Sequence, residues 1–173
     1  MSHYRKIDVR IWNDQKFLSL SERGKLAFFM LLTHPMMTAL GAMRGTPAGL
    51  AAELDTDAEG FAEAFRDILA KGMAEYDGKT CLIALPKFLK YNLPESPNVV
   101  RAWVKVLDFL PECALKTVVV QRAVAFAKAM SKGFGEALPK DLLQSESREQ
   151  RAESTTGITK RERPLRVSAG LRR

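Results

Sequence analysis

Apolar and polar positions recur most regularly between Gly45 and Leu85, in GTPAGLAAELDTDAEGFAEAFRDILAKGMAEYDGKTCLIAL. Thr46 can cap a helix that has Pro47 at its first position, where the missing N–H costs nothing, and Leu50, Ala51 and Leu54 then share one face. Asp55 or Thr56 can cap the next helix, along which Phe61, Phe65, Ile68 and Leu69 fall at helical spacing up to Gly72, a common helix stop. Met73–Tyr76 and Thr80–Leu85 then flank Asp77-Gly78, a two-residue hairpin signal. Two helices across a short turn, followed by a hairpin, read as a winged helix-turn-helix.

Upstream, Ile7, Val9 and Ile11 alternate with Lys6, Asp8 and Arg10, which predicts a half-buried strand over Tyr4–Ile11. A helix is expected from a cap at Ser19 or Ser21 to Thr33, with Leu26, Phe29, Met30 and Leu32 or Thr33 facing a core, and Pro35 ends it. Ala42-Met43-Arg44 suits a short strand before the next helix. Downstream, Ser96-Pro97 starts a helix whose stripe is Val99, Val100, Trp103, Val106, Leu107 and Leu110, closed by Pro111. A second helix from Cys113 to about Lys132 completes a helical hairpin. The expected fold class is mostly α with a small β-wing: a winged helix-turn-helix domain over 1–92, a helical hairpin extension over 93–135, and a disordered basic tail over 136–173. The tail has too few large apolar residues to offset its ordering entropy.

Charge changes this picture by its distribution. The net +7 arises from −1 over residues 1–85, +4 over 86–139 and +4 over 140–173. A basic C-terminal half points to an anionic partner, and nucleic acid fits best. No run of about 18 apolar residues is present, and MSHYRKIDVR lacks the apolar segment of a secretory leader. Cys81 and Cys113 stand apart with no CxxC spacing, as reduced core residues would. The expectation is therefore a cytoplasmic protein without membrane association.

Candidate chemistry is thin. Asp55-Thr56-Asp57-Ala58-Glu59-Gly60 begins like a calcium loop, but Arg66 stands where a bidentate Glu is needed. The carboxylates suit a capped, acidic helix start instead. Gly72 to Thr80 ends in GKT with the wrong glycine spacing and no following helix. His3 and His34 have no ligand partner in sequence and read as surface or capping residues. Without a nucleophile elbow or a persuasive carboxylate pair, the chain reads as a non-enzyme that needs no metal or cofactor.

The succession KIDVRIWNDQKFLSLSERGKLAFFMLL, GTPAGLAAEL and IALPKFLKYNLPESPNVVRAWVKVLDFLPECALK resembles the N-terminal DNA-binding region of phage and prophage replication-initiation proteins over about residues 4–130. PKFLKYN-PESPN-VVRAW is its most specific part. The resemblance implies a winged-helix module that binds origin DNA or organises a replisome, with a replication protein such as a helicase or its loader as a further partner. The outward positions of the second helix-turn-helix helix are Glu59, Glu63, Arg66, Asp67 and Lys71, and its acids would meet phosphates unfavourably. Contact with DNA, duplex rather than single-stranded, is therefore expected through Lys79 on the wing, Lys6 and Arg10 on the first strand, Arg44, and the tail, with Arg66 and Lys71 the two cations of the helix. A non-catalytic winged-helix adaptor or transcriptional regulator is the alternative, with the acidic face binding a basic protein.

Lys160, Arg161, Arg163, Arg166, Arg172 and Arg173 put six cations within 14 residues against Glu162. If this arm contacts phosphates, deleting 140–173 will flatten the slope of log K against log salt by roughly 3 to 5 units, at about 0.9 per phosphate, and weaken binding to all sequences alike. Salt titration of full-length and truncated protein on one duplex measures this; equal slopes would exclude the arm.

Overall fold

A computed structural model describes residues 5–140 and Leu142. A 3-10 helix at Val9–Asn13 precedes α1 (Gln15–Leu18), α2 (Glu22–Thr33), β1 (Ala42–Arg44), α3 (Pro47–Glu53) and α4 (Ala58–Ala70). β2 (Glu75–Asp77), β3 (Leu82–Ala84), α5 (Phe88–Tyr91), α6 (Pro97–Arg101), α7 (Val104–Leu107), α8 (Ala114–Ala129) and α9 (Lys132–Glu136) follow. The protein is mostly helical with a three-stranded antiparallel sheet in the order β1-β3-β2. No helix among the described residues is long and apolar enough to cross a membrane.

Local signals account for the central helices. The Thr46 hydroxyl accepts the Gly49 N–H at 3.1 Å and Pro47 opens α3, as the sequence predicts. α4 starts one or two residues later than predicted, because Asp57 and not Asp55 or Thr56 supplies the cap, accepting the Gly60 N–H at 2.6 Å. Both helices end in the same paired hydrogen bonds. Thr56 N–H reaches the Ala51 carbonyl and Asp55 N–H that of Ala52, while Met73 N–H reaches Ile68 and Gly72 N–H reaches Leu69. This ending requires a left-handed residue, supplied by Asp55 at φ 51° and by Gly72 at φ 63°.

The sheet separates two cores. Registers Met43↔Ile83 and Tyr76↔Ile83 turn those side chains toward α2, α3 and α4, where Phe17, Leu31, Leu50, Phe61, Phe65 and Ile68 are buried. Registers Ala42↔Ala84 and Arg44↔Leu82 turn Ala42, Leu82 and Ala84 the other way, against Val100, Trp103, Val120, Ala123 and Val124. Each large side chain so buried contributes about 1.5 to 3 kcal/mol over leaving it exposed. Across the second core, Arg122 on α8 grips Glu75 on β2 with two hydrogen bonds of 2.5 and 2.7 Å, and this bond to a carboxylate holds the guanidinium charge more firmly.

Several expectations fail for identifiable reasons. No strand forms over the described part of Tyr4–Ile11; Asp8 accepts the Arg10 N–H at 2.9 Å and turns the chain into a 3-10 helix, leaving Val9 82% exposed. Tyr4 itself lies outside the described residues. Ser21 caps α2, but Ala27 and Leu31 face the core while Leu26 is 55% exposed. The β2–β3 turn spans four residues, 78–81, because the ladder closes on Asp77↔Leu82 and Cys81 takes the left-handed position at φ 56°. The 97–110 helix is two short helices: bonds from Trp103 N–H to Val100, Lys105 N–H to Ala102 and Val106 N–H to Trp103 are three residues apart, a tightening that accompanies burial of Trp103.

Ala137, Leu138 and Leu142 are buried against α8, so the folded body extends past residue 135, where the hairpin extension was expected to end. Residues 97–140 with Leu142 are one layer of the second core, sharing it with β1 and β3. Cys81 and Cys113 are free and only half-buried, and Cys113 caps α8 by accepting the Lys116 N–H. His34 is buried and not at the surface, and it takes the other expected role as the C-cap of α2. Its Nδ1 accepts the Met36 N–H at 3.1 Å and its Nε2 meets Glu53 at 2.7 Å, which the neutral tautomer with a proton on Nε2 satisfies by donating to the carboxylate. His3 lies outside the described residues.

Gly41 tests the packing most sharply, since its φ is 75° and a Cβ there would lie 2.6 Å from Phe88 Cγ. Gly41→Ala is expected to cost about 2 to 5 kcal/mol from backbone strain and overlap together. Asp55→Gly, at an open left-handed position, leaves stability within about 1 kcal/mol of the parent. Urea unfolding of both variants measures the contrast, and equal effects would remove the assigned role of Gly41.

Candidate nucleic-acid interface

The cations expected to meet DNA separate into three groups once the chain is folded. Arg44 and Lys79 share one end of the sheet. Arg44 ends β1 opposite Leu82, and the next N–H, from Gly45, donates to the Cys81 carbonyl at 2.8 Å, tying the exit of β1 to the hairpin turn. In that turn Asp77 Oδ1 accepts the N–H groups of Lys79 at 2.9 Å and Thr80 at 3.4 Å, and the Lys79 bond leads in holding this carboxyl below its ordinary range. Lys79 and Arg44 are exposed and neither meets a carboxylate among the described residues. Thr46, starting α3, is two residues beyond Arg44.

Arg66 on α4 and Lys71, which caps its C-terminus, are less available. Lys71 Nζ pairs with Asp67 at 2.9 Å, and Arg66 Nε reaches back to the Ala62 carbonyl at 3.4 Å. Glu59 and Glu63 are exposed on the same helix. Arg23 from α2 pairs with the capping Asp57 at 3.0 Å. The exposed face of α4 thus remains rich in acid, as its sequence implies, with one of its two cations already matched.

Lys6 and Arg10 do not lie on a strand beside the hairpin. They border a cleft of about 110 Å³ between the N-terminal segment, α1, the end of α4 and the 85–92 segment. Lys6 N–H donates to Asn92 Oδ1 at 3.2 Å, and its ammonium approaches Glu95 at 3.4 Å. Arg10 grips Asp8 through Nε and Nη2 at 2.6 to 3.1 Å, and this hydrogen-bonded guanidinium draws the Asp8 carboxyl down to about 2. Lys16 donates to the Lys71 carbonyl at 2.6 Å. Lys16, Lys87, Tyr91 and Asn92 were not singled out by sequence reasoning as site residues. The only signal for the last three was PKFLKYN, where Lys87 and Tyr91 are four apart and Lys90 stands over the Tyr91 ring at 5.4 Å; Lys16 had none.

No protein-family model matches the chain, and no curated protein and no solved structure matches it. Its functional reading rests on the residues just described. Among them, no group of three or more His, Cys, Asp or Glu side chains is arranged to hold a metal ion. Lys160, Arg161, Arg163, Arg166, Arg172 and Arg173 lie outside the described residues.

Arg10 and Asp8 give a direct check on the cleft's electrostatics. Since the folded carboxyl titrates below its unfolded value of about 3.9, the pair's stabilising effect is complete above that value and is lost as pH falls through about 2. Carbon-detected NMR of Asp8 should give a midpoint near the lower value, and Arg10→Ala should return it toward the ordinary carboxylate range. An unmoved midpoint in the variant would mean that the pair does not form.

Proposed function

We propose that the chain is a non-catalytic, winged-helix DNA-binding module of phage type, serving replication initiation or replisome organisation, which engages duplex DNA through its wing. The observation that carries this is the pair of exposed cations, Arg44 and Lys79, without carboxylate partners among the described residues, at one end of the small sheet. The order of elements supports the winged-helix reading: α2, β1, α3, α4, β2 and β3 in sequence, with β3 between β1 and β2. So does the turn. Its backbone is held by Asp77, so Lys79 extends from a defined loop and not from a loose one.

Base reading by α4 has less support. A helix in the major groove comes close to two lines of phosphates, and Glu59 and Glu63 would be repelled by both. Arg66 remains as the exposed cation of that helix. The module is therefore read as a backbone-contacting wing with a weakly specific helix, aided by the C-terminal arm. The acidic face favours one second reading, an adaptor that binds a basic protein through Glu59 and Glu63.

Lys79→Glu and Arg44→Glu should each weaken binding to a mixed-sequence duplex and lower the salt slope by about 0.9 per lost phosphate contact, with little change in melting temperature. Glu59→Gln with Glu63→Gln should leave affinity equal or higher. Fluorescence anisotropy at two salt concentrations reads all three. Absence of duplex binding at low salt, or wing variants that bind like the parent, would overturn the proposal, and loss of affinity in the glutamine variant would move the contact to α4.

A further inference from the structure

The cleft beside the N-terminal segment is built for a different kind of occupant from the wing. Its lining includes the apolar side chains of Phe17, Leu85, Phe88 and Met73, and its rim carries Lys6, Arg10, Lys16 and Lys87 against the two carboxylates of Asp8 and Asp14. Both carboxylates are already accepting hydrogen bonds, Asp8 from Arg10 and Asp14 from the Lys16 N–H at 2.9 Å as the cap of α1. The cations are less fully matched. Lys87 is exposed with no carboxylate partner among the described residues, and Lys6 meets Glu95 at 3.4 Å with both side chains more than half exposed, a pair worth little in water. An apolar floor remains under a rim of net positive charge, four cations against two carboxylates, on which Lys87 is a cation without a carboxylate partner among the described residues.

We propose that this cleft docks an acidic peptide segment of a protein partner, with one aliphatic side chain seated in the cavity and flanking carboxylates on the lysine rim. Size supports a single side chain: a cavity of about 150 Å³ accommodates benzene, and this one, at about 110 Å³, suits a leucine or isoleucine. Charge supports acidic flanks, because complementary rims steer and orient such a partner. The chain's own C-terminal segment has the wrong sign, with nine Lys/Arg against five Asp/Glu over 140–173. A nucleobase fits less well, since Phe17 and Phe88 are too buried to present an open stacking face. The surface is distinct from Arg44 and Lys79, so it stands or falls independently of the wing reading.

The test uses the full chain and a fluorescent peptide of about twelve residues, made of Asp and Glu around one central leucine. Saturable binding is expected, weakened about tenfold or more, 1.4 kcal/mol, both by Leu→Ala in the peptide and by Lys87→Glu in the protein. A lysine-based peptide with the same leucine should not bind, and Lys79→Glu should leave acidic-peptide binding unchanged. The circular-dichroism melt of Lys87→Glu should match the parent, because Lys87 makes no ion pair among the described residues. Failure to bind, binding indifferent to the leucine or to Lys87, or stoichiometric displacement by duplex DNA would overturn the proposal, the last by assigning the cleft to nucleic acid.

Discussion

Burial of β3 on both faces is the constraint on which the structure depends. Leu82 and Ala84 enter the core formed with α6–α9, and Ile83 between them enters the core formed with α2–α4. A strand of three residues with no solvent face cannot reverse its register without sending one large side chain into the wrong core. Its neighbours inherit the arrangement: β1 splits Ala42 from Met43, and β2 splits Glu75 and Asp77 from Tyr76. Glu75 can then meet Arg122, so this strong polar tie between α8 and the sheet follows from the same alternation. The C-terminal helices are the second cover of the sheet.

Much of the central fold was legible because its signals are local. Thr46-Pro47, the Phe61-Phe65-Ile68 stripe and Gly72 act within a turn or two of where they stand, and the helices they mark are present. Alternation over residues 6–11 misled because a short side-chain-to-backbone bond at Asp8 competes with strand pairing and turns the chain into a 3-10 helix. Trp103 sits on the expected stripe, yet a tight segment interrupts the helix around it. Leu138 and Leu142 were hidden by charged neighbours, since composition averages over a window and burial acts on single residues. The cleft could not be read ahead of the fold, because residues from 6 to 92 converge on it and none of its cations forms a run.

Pairing decides which charges can work. Lys71, Arg10 and Arg122 count toward the net charge but are matched by Asp67, Asp8 and Glu75. Lys116 is matched as well, donating to the Leu107 and Leu110 carbonyls and to Glu112 as it closes the turn before α8. Arg44, Lys79 and Lys87 are exposed without such partners among the described residues. Two of them frame the hairpin end and one stands on the cleft rim. The proposed DNA contact and the proposed peptide contact therefore draw on different cations, and a protein using both could hold DNA and a partner together.

Cooperativity between the two cores tests the central claim most directly. Native-state hydrogen exchange in increasing denaturant can follow Ile68 on α4, Ile83 on β3 and Val124 on α8. With β3 shared, all three amides should converge on one opening free energy with one denaturant dependence. Were Val124 to open by a separate, lower-energy transition while Ile68 and Ile83 kept their protection, the C-terminal helices would be an appendage and the account of a sheet stabilised from both sides would be contradicted.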